Sequence, residues 1–111
     1  MADDKERVEA LVKEPWDRLA LYHLSTRQAI LLLSHHDVFV QEGWFPARHE
    51  FPEHAHDRAQ MLLVTRGTLT HTTKEMSYTQ GENDLLVVPA TLAHTAKVGN
   101  EELEFYLVLK K

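Results

Sequence analysis

The apolar positions near the amino end of the chain follow the period of a helix. They fall at i, i+3 and i+4, the spacing of one helical face, at Val8, Leu11 and Val12. Asp3 or Asp4 can cap the first turn, and Pro15 ends the helix because a proline cannot continue the hydrogen-bond ladder. The pattern predicts a short N-terminal helix that packs across the remainder of the fold.

After this helix the apolar positions change to the period of β-strands. Eight short segments carry the pattern: Leu19 to Leu24, Gln28 to Leu33, Val38 to Phe45, Gln60 to Thr65, Thr68 to Thr73, Leu85 to Val88, His94 to Val98 and Leu103 to Leu109. Gly67, Gly81 with Asn83, and Gly99 with Asn100 mark turns between them. Without a repeat, a linker or a low-complexity segment, the chain is predicted to be one all-β domain over residues 1–111, an antiparallel barrel or jelly roll.

Composition narrows the classes of function. The chain of 111 residues has 43% hydrophobic residues, which is ordinary for a globular domain, and no cysteine. Disulfides and thiolate metal sites are therefore excluded, so any metal ion must be held by imidazole, amide or carboxylate groups. The formal charge of −5, with no basic stripe, argues against nucleic acid as a partner.

The chain also has no membrane or secretion signal that we recognise. Its longest purely apolar run, Ala29 to Leu33, is far shorter than the roughly 20 residues that cross a bilayer. The amino terminus is acidic and charged, whereas a secretory signal is basic and then apolar. We therefore expect a cytoplasmic protein that does not enter a membrane.

A pair of histidines in the middle of the chain suggests a metal site. Alternate side chains on a strand share a face, roughly 6.5 to 7 Å apart, so His54 and His56 can converge on one ion. In a chain with eight histidines an isolated pair is weak evidence, and the spacing counts as a whole. Gln60 follows in the same segment, and His94 follows a second strand-like segment. These four donors suit a divalent transition metal.

The whole pattern resembles the double motif of the cupin superfamily. Residues 54–67 read H-A-H-D-R-A-Q-M-L-L-V-T-R-G, and residues 84–94 read D-L-L-V-V-P-A-T-L-A-H. The resemblance covers Gln41 to Leu109 and implies a cupin-type antiparallel β-barrel, or jelly roll, whose metal ligands would be His54, His56, Gln60 and His94.

The chain departs from the usual cupin motif at five positions while keeping the ligand pattern. Gln60 stands where glutamate is common, and Val98 stands where asparagine is often seen. Three motif glycines are replaced, by Arg48, by Asn83 in the pair before the second strand segment, and by Thr91. These departures weaken the transfer of any one cupin enzyme's chemistry to this chain.

The ligand set indicates the chemistry. Three neutral imidazoles and a neutral amide leave a divalent cation its full charge, which makes it a stronger Lewis acid than a glutamate-containing site would. Such a set accepts Mn, Fe, Co, Ni or Zn. A set of three histidines and one glutamine is similar to that of cupin-type hydroxynitrile lyases and of some tautomerising and cyclising cupins. The resemblance implies a lyase or isomerase for a small carbonyl or hydroxy compound, whereas the glutamate form is typical of dioxygenases.

Two other interpretations stay open. The segment Gln60 to Gly67, together with residues 84–89 and His94, also resembles the effector-binding arm of arabinose-operon-type transcription regulators. The chain would then be a free-standing sensor of a small molecule, with His54 and His56 as polar pocket walls. Alternatively, a metal ion would only stabilise the fold. A homodimer is also expected, since apolar edge strands such as Leu103 to Leu109 gain by being covered.

The remaining candidate residues receive simpler interpretations. His35 and His36 are expected in a loop, and His23, His49 and His71 at the surface or beside the ligands. Arg48 and Glu104 are read as solvated charges. Core or dimer-face positions are expected for Trp44, Phe45, Phe51, Met61, Phe105 and Tyr106, some of them at the mouth of the pocket.

Overall fold

A computed structural model describes residues 3–111. In this range two helices and nine strands follow one another: α1 Asp4–Lys13, β1 Ala20–His23, α2 Thr26–Leu33, β2 Val38–Phe45, β3 Glu50–His54, β4 Gln60–Arg66, β5 Leu69–Thr72, β6 Ser77–Gln80, β7 Asp84–Val88, β8 His94–Val98 and β9 Leu103–Lys110. Neither helix is long and apolar enough to cross a membrane.

The strands form two antiparallel sheets. The larger sheet has the order β1-β7-β4-β9-β2, and the smaller has the order β3-β8-β5-β6. Neighbours in the sheets come from distant parts of the chain, because the strands wind between the two layers as in a jelly roll. The predicted fold class, an antiparallel jelly roll with a short N-terminal helix, is confirmed.

The N-terminal helix forms for the reasons that the sequence indicated. The Asp3 side chain caps it by accepting a hydrogen bond from the Glu6 amide at 2.8 Å. Val8, Leu11 and Val12 are buried on one face, as their spacing predicted. The chain leaves the helix after Lys13, two residues before Pro15. The N-terminal element therefore lies where its apolar spacing places it.

The prediction of a strand from Gln28 to Leu33 is wrong, because this segment belongs to helix α2. Ser25 begins the helix with a capping box: its hydroxyl accepts from the Gln28 amide at 3.1 Å, and the Gln28 side chain accepts from the Ser25 amide at 3.0 Å. Gln28, Ala29 and Leu32 are buried, at i, i+1 and i+4, which is one helical face. A short apolar run fits both periods, and the capping box decides for the helix.

Two strands of the smaller sheet, β3 and β6, were not predicted. Both lie at the edges of that sheet and have only one neighbour each, β8 and β5 respectively. β3 contains Pro52 within a register irregularity between Phe51 and His54. Edge strands tolerate proline and polar residues because one side of their backbone faces no partner, so they lack the alternating pattern of a buried strand.

One expectation about strand edges is also wrong. β9, which covers the predicted apolar edge Leu103 to Leu109, lies between β4 and β2 and is paired on both sides. β2 is the edge strand of the larger sheet at that end. A strand as apolar as β9 suits an interior position, where both of its neighbours cover it.

The apolar residues form two cores on opposite faces of the larger sheet. The first lies between that sheet and the two helices, and includes Leu11, Leu32, Met61, Leu63 and Leu85. The second lies between the two sheets and includes Leu62, Val64, Leu69, Ala96, Val98 and Leu103. Strand β4 is buried on both faces and contributes alternate residues to the two cores. The space between the sheets beside the second core is where the cavity lies.

Candidate metal centre

The structure brings three of the four predicted ligands together. His54 ends β3, His94 begins β8, and the two residues face each other in register. His56 lies two residues beyond the end of β3. One ring nitrogen from each histidine lies within 4.8 Å of the other two. The ring centroids are 4.3 Å apart for His54 and His94, and 4.8 Å apart for His54 and His56.

His56 reaches the cluster by a loop and not by strand alternation. Its backbone carbonyl accepts a hydrogen bond from the Thr91 amide at 2.7 Å. This bond joins the segment after β3, which carries His56, to the turn that leads into β8, which His94 begins. The chain bends at Asp57 and Arg58, between His56 and β4.

Backbone hydrogen bonds determine which nitrogen each ring presents. His54 Nδ1 lies 2.8 Å from the Pro52 carbonyl oxygen, and His94 Nδ1 lies 2.9 Å from the Leu92 carbonyl oxygen. A carbonyl oxygen only accepts, so each Nδ1 must carry the proton and each Nε2 must carry a lone pair. This is the arrangement by which proteins orient imidazoles for a metal ion.

Gln60 lies beside this cluster at the start of β4. Its side-chain nitrogen is 3.4 Å from His56 Nε2, and the residue is half-buried. A half-turn of the amide would present its oxygen at the same place. Three imidazole nitrogens and an amide oxygen form a donor set that suits a divalent transition metal, so these residues fit such an ion.

The cluster opens into a cavity of about 260 Å³ between the sheets. The lining residues are Phe45, Phe51, His54, His56, Gln60, Leu62, Leu69, His71, Val88, His94, Ala96, Leu103, Phe105 and Leu107. No carboxylate is among them. A larger depression of about 980 Å³ lies outside, along β3, β5 and β8, and contains none of these histidines. The cavity therefore combines apolar walls with a single group of nitrogen donors.

Burial favours the uncharged form of His56 and of His94. The pKa of His56 is lowered, first by burial and then by the neighbouring His54 and His94. The pKa of His94 is lowered by burial and by His54, although its hydrogen bond to Leu92 opposes the shift. Neutral imidazoles hold the lone pairs that a cation needs, and lowered pKa values preserve them at neutral pH.

His71 lines the cavity, and the sequence did not identify it as a cavity residue. It was expected at the surface or beside the ligands, and it is 5% exposed with its ring centroid 6.1 Å from that of His94. Burial lowers its pKa to about 4, although the hydrogen bond that it donates to Gln80 opposes this shift. Leu69 and His71 face the interior together as i and i+2 of β5, and this alternation was the available signal.

The other histidines and charged residues named in the sequence analysis lie outside the cavity lining. His35 and His36 lie in the segment between α2 and β2, as expected. His23 is exposed, and its Nδ1 lies 2.7 Å from an Asp84 carboxylate oxygen. His49 stacks on Phe45, with centroids 4.8 Å apart, outside the cavity lining. The charged residues Arg48 and Glu104 are exposed.

Two antiparallel sheets with histidines gathered at one end of the space between them define the cupin class. Residues 35–109 match the family model of the AraC-like ligand binding domain, and the chain belongs to this family of the cupin superfamily. The recognition of a cupin from its motifs is thus confirmed. No match was found among curated proteins.

Solved structures agree with this fold. A cupin-2 domain containing protein from Shewanella frigidimarina is 21% identical with a TM-score of 0.58, over 81% of this chain and 83% of that one. A cupin superfamily protein from Desulfitobacterium hafniense is 15% identical with a TM-score of 0.56, over 91% and 84%. A DUF861 family protein from Thermotoga maritima is 17% identical with a TM-score of 0.63, over 85% and 100%.

The backbone keeps the turns of the cupin motif where the glycines have changed. Among residues 3–111, the positive φ angles outside glycine belong to Arg48 (65°), Asn83 (66°) and Thr91 (65°). These are the three positions at which the motif carries glycine, and its retained Gly67 has φ 81°. A side chain at such an angle is strained, least of all for asparagine. Arg48, Asn83 and Thr91 therefore hold a backbone conformation that glycine adopts most easily.

Proposed function

We propose that this protein holds a divalent transition metal through His54, His56, His94 and Gln60, and acts as a lyase or isomerase on a small carbonyl or hydroxy compound. The observation that carries the proposal is the pair of backbone hydrogen bonds from His54 and His94. They leave both Nε2 lone pairs free of backbone partners, and one ring nitrogen from each of His54, His56 and His94 lies within 4.8 Å of the other two. Mn, Fe, Ni, Co and Zn all suit this donor set.

The cavity around the three histidines and Gln60 suits a small substrate. A divalent cation bound there would supply Lewis-acid polarisation of a carbonyl or hydroxyl oxygen. Gln60 contributes no charge, so the ligand set does not offset the charge of the cation. The walls formed by Phe51, Phe105 and Leu107 exclude water and hold the apolar part of a substrate. A compound of a few carbon atoms around one polar group fits such a cavity.

The decisive experiment measures metal and turnover on the same preparation. Untagged protein, purified without chelator from metal-supplemented cells, should carry close to one transition metal ion per chain. A panel of small cyanohydrins, hydroxy acids and keto acids should include a compound that is turned over. Chelator should abolish this activity, and the metal should restore it. Metal far below one ion per chain would overturn the proposal.

A sensor of a small molecule is the second candidate, and two observations favour it. The family that the chain matches is a ligand-binding domain. The cavity lining also includes no aspartate or glutamate that could transfer a proton. In this case a ligand would bind metal-free protein as tightly as metal-loaded protein, and no bound compound would be turned over.

We further expect a cytoplasmic homodimer that forms through β2. Within the described residues this strand has one partner, β9, so its outer edge offers unpaired backbone groups. Phe39 and Trp44 on this strand are 57% and 53% exposed. Analytical ultracentrifugation should give twice the chain mass, and Trp44→Glu should shift the protein toward the monomer.

A further inference from the structure

A fourth imidazole, that of His71, lines the same cavity but uses its nitrogens differently. Its ring lies in the wall beside His94, with centroids 6.1 Å apart. Its Nε2 lies 2.8 Å from Gln80 Oε1. The nitrogen that His54 and His94 leave free is therefore engaged in His71, and the role of this residue must differ from theirs.

The surroundings of Gln80 determine the tautomer of His71. Gln80 is fully buried, and its side-chain nitrogen donates to the Leu62 carbonyl at 2.8 Å and to the Asp84 carbonyl at 2.9 Å. Both partners only accept, so the nitrogen end of the amide must face them and the oxygen must face His71. Because that oxygen also only accepts, His71 Nε2 carries the proton and His71 Nδ1 carries a lone pair.

This lone pair has no partner among the described residues. His71 Nδ1 is the buried side-chain nitrogen or oxygen that makes no hydrogen bond there. A buried acceptor without a donor is unfavourable, and native proteins usually supply a partner. Among the described residues, the side chains that line the cavity include no hydroxyl or carboxyl group, and the one side-chain amide in the lining, that of Gln60, lies beside His56. A molecule bound in this cavity can supply the missing donor.

We propose that His71 recognises the ligand, with Nδ1 accepting a hydrogen bond from a hydroxyl or N–H group of the bound molecule. Gln80 is then a positioning residue that keeps the lone pair available. The ligand combines an apolar or aromatic body, which packs on Phe45, Phe51 and Phe105, with a hydrogen-bond donor. The inference rests on the cavity being the ligand site of the proposed function, but it does not require a metal ion.

The test uses the full chain after chelation, so that it is independent of the metal. Benzyl alcohol and benzyl methyl ether share an aromatic body, and only the alcohol donates a hydrogen bond. Affinities follow from titrations by NMR. Wild type should bind the alcohol more tightly than the ether by about five- to tenfold, the effect of one hydrogen bond.

Two substitutions distinguish the role of His71 Nε2 from that of His71 Nδ1. In His71→Gln the amide can still donate to Gln80, but the acceptor at the Nδ1 position is lost, so the preference for the alcohol should disappear. His71→Asn places an amide oxygen near the Nδ1 position and should keep part of the preference. The matched control is His49→Gln, which changes an imidazole outside the lining and should keep all of it.

Several outcomes would overturn the proposal. Equal preference in wild type and His71→Gln would mean that the lone pair serves a buried water only. The proposal would also be overturned if wild type bound neither compound, or if it bound the alcohol no more tightly than the ether. If His71→Gln does not fold, nitrogen NMR of wild type decides: the His71 Nδ1 resonance should shift with the alcohol and stay in place with the ether. Loss of metal binding in the separate metal assay would affect the proposed function alone.

Discussion

Among residues 3–111, two groups of side chains bring candidate metal ligands equally close together, and they differ in which of their ring nitrogens are already hydrogen-bonded. One is the cavity cluster of His54, His56 and His94, and the other is the surface cluster of His35, His36 and Asp37. In both, the candidate ligand atoms lie within 4.8 Å of one another. In the surface cluster, however, His35 Nε2 is hydrogen-bonded to Glu9, and His35 Nδ1 accepts from the Asp37 amide at 3.0 Å.

Closeness of donor atoms is therefore not enough to form a metal site. In the cavity cluster the backbone engages Nδ1 of His54 and of His94 and leaves Nε2 of each ring free. In the surface cluster both nitrogens of His35 are already in use, so a metal ion would have to break a hydrogen bond to bind there. The orientation of lone pairs by neighbouring groups therefore distinguishes the candidate metal centre from a group of adjacent histidines.

The largest effect is expected when a histidine of the cavity cluster is removed. His54→Ala should lower the metal content from close to one ion per chain to nearly none, because three of the four donors bind much more weakly than four. His36→Ala, the matched change in the surface cluster, should leave metal content unchanged. Elemental analysis measures both, with circular dichroism as the test of folding. Equal metal loss in the two variants would refute the distinction.

The next effect concerns pH and separates a buried histidine from an exposed one. Burial holds the pKa of His71 at about 4, below its ordinary 6.5, so the unfolded chain takes up this proton first as the pH falls. The contribution to stability is complete above pH 6.5 and is lost as the pH falls to about 4. The loss amounts to about 3 kcal/mol.

Urea unfolding of chelated protein between pH 4 and 7.5 measures this dependence. His71→Gln should make the slope shallower by the share that His71 contributes, and His56 and His94, whose pKa values are also lowered, should keep the rest. His36→Gln, a change at an exposed ring, should keep the wild-type slope. Parallel curves for wild type and His71→Gln would show that other groups cause the pH dependence.

A smaller effect is expected at Gln60. Gln60→Glu adds a negative charge beside the three imidazoles and should tighten metal binding by about tenfold, or about 1.4 kcal/mol. The melting temperature at fixed metal concentration should rise, because a ligand of the folded state stabilises that state. The activity should fall, since the added charge weakens the Lewis acidity of the site. Gln60→Ala should weaken binding. Unchanged affinity in both variants would place Gln60 outside the ligand set.

The smallest effect concerns the backbone that supports the cavity cluster. Thr91, whose amide holds the His56 carbonyl at 2.7 Å, has a positive φ of 65°, which is unfavourable for a β-branched residue. Thr91→Gly should relieve this strain and raise the free energy of unfolding by up to about 1 kcal/mol, after the entropic cost of glycine. Thr95→Gly, at an ordinary strand position, should lower it. Denaturant unfolding distinguishes the two signs.

Much of the fold could be predicted because its signals are local. The helical spacing of Val8, Leu11 and Val12 and the alternation in the interior strands both depend on residues close in sequence. The segment of helix α2 looks like a strand in the sequence because its apolar run is too short to show a period, and the capping box of Ser25 with Gln28 is what distinguishes it. The edge strands β3 and β6 have too few buried positions to leave a pattern.

The sequence by itself determined the candidate metal ligands, because the spacing of His54, His56, Gln60 and His94 matches the cupin motif. It could not determine which nitrogen of each ring is free. That choice depends on Pro52 and Leu92 carbonyls that the turns bring next to the rings. Nor could it show that His71 shares the cavity and is held there by Gln80, nine residues further along the chain. Only the tertiary structure decided these points, since a hydrogen bond depends on distance and direction between groups that folding brings together.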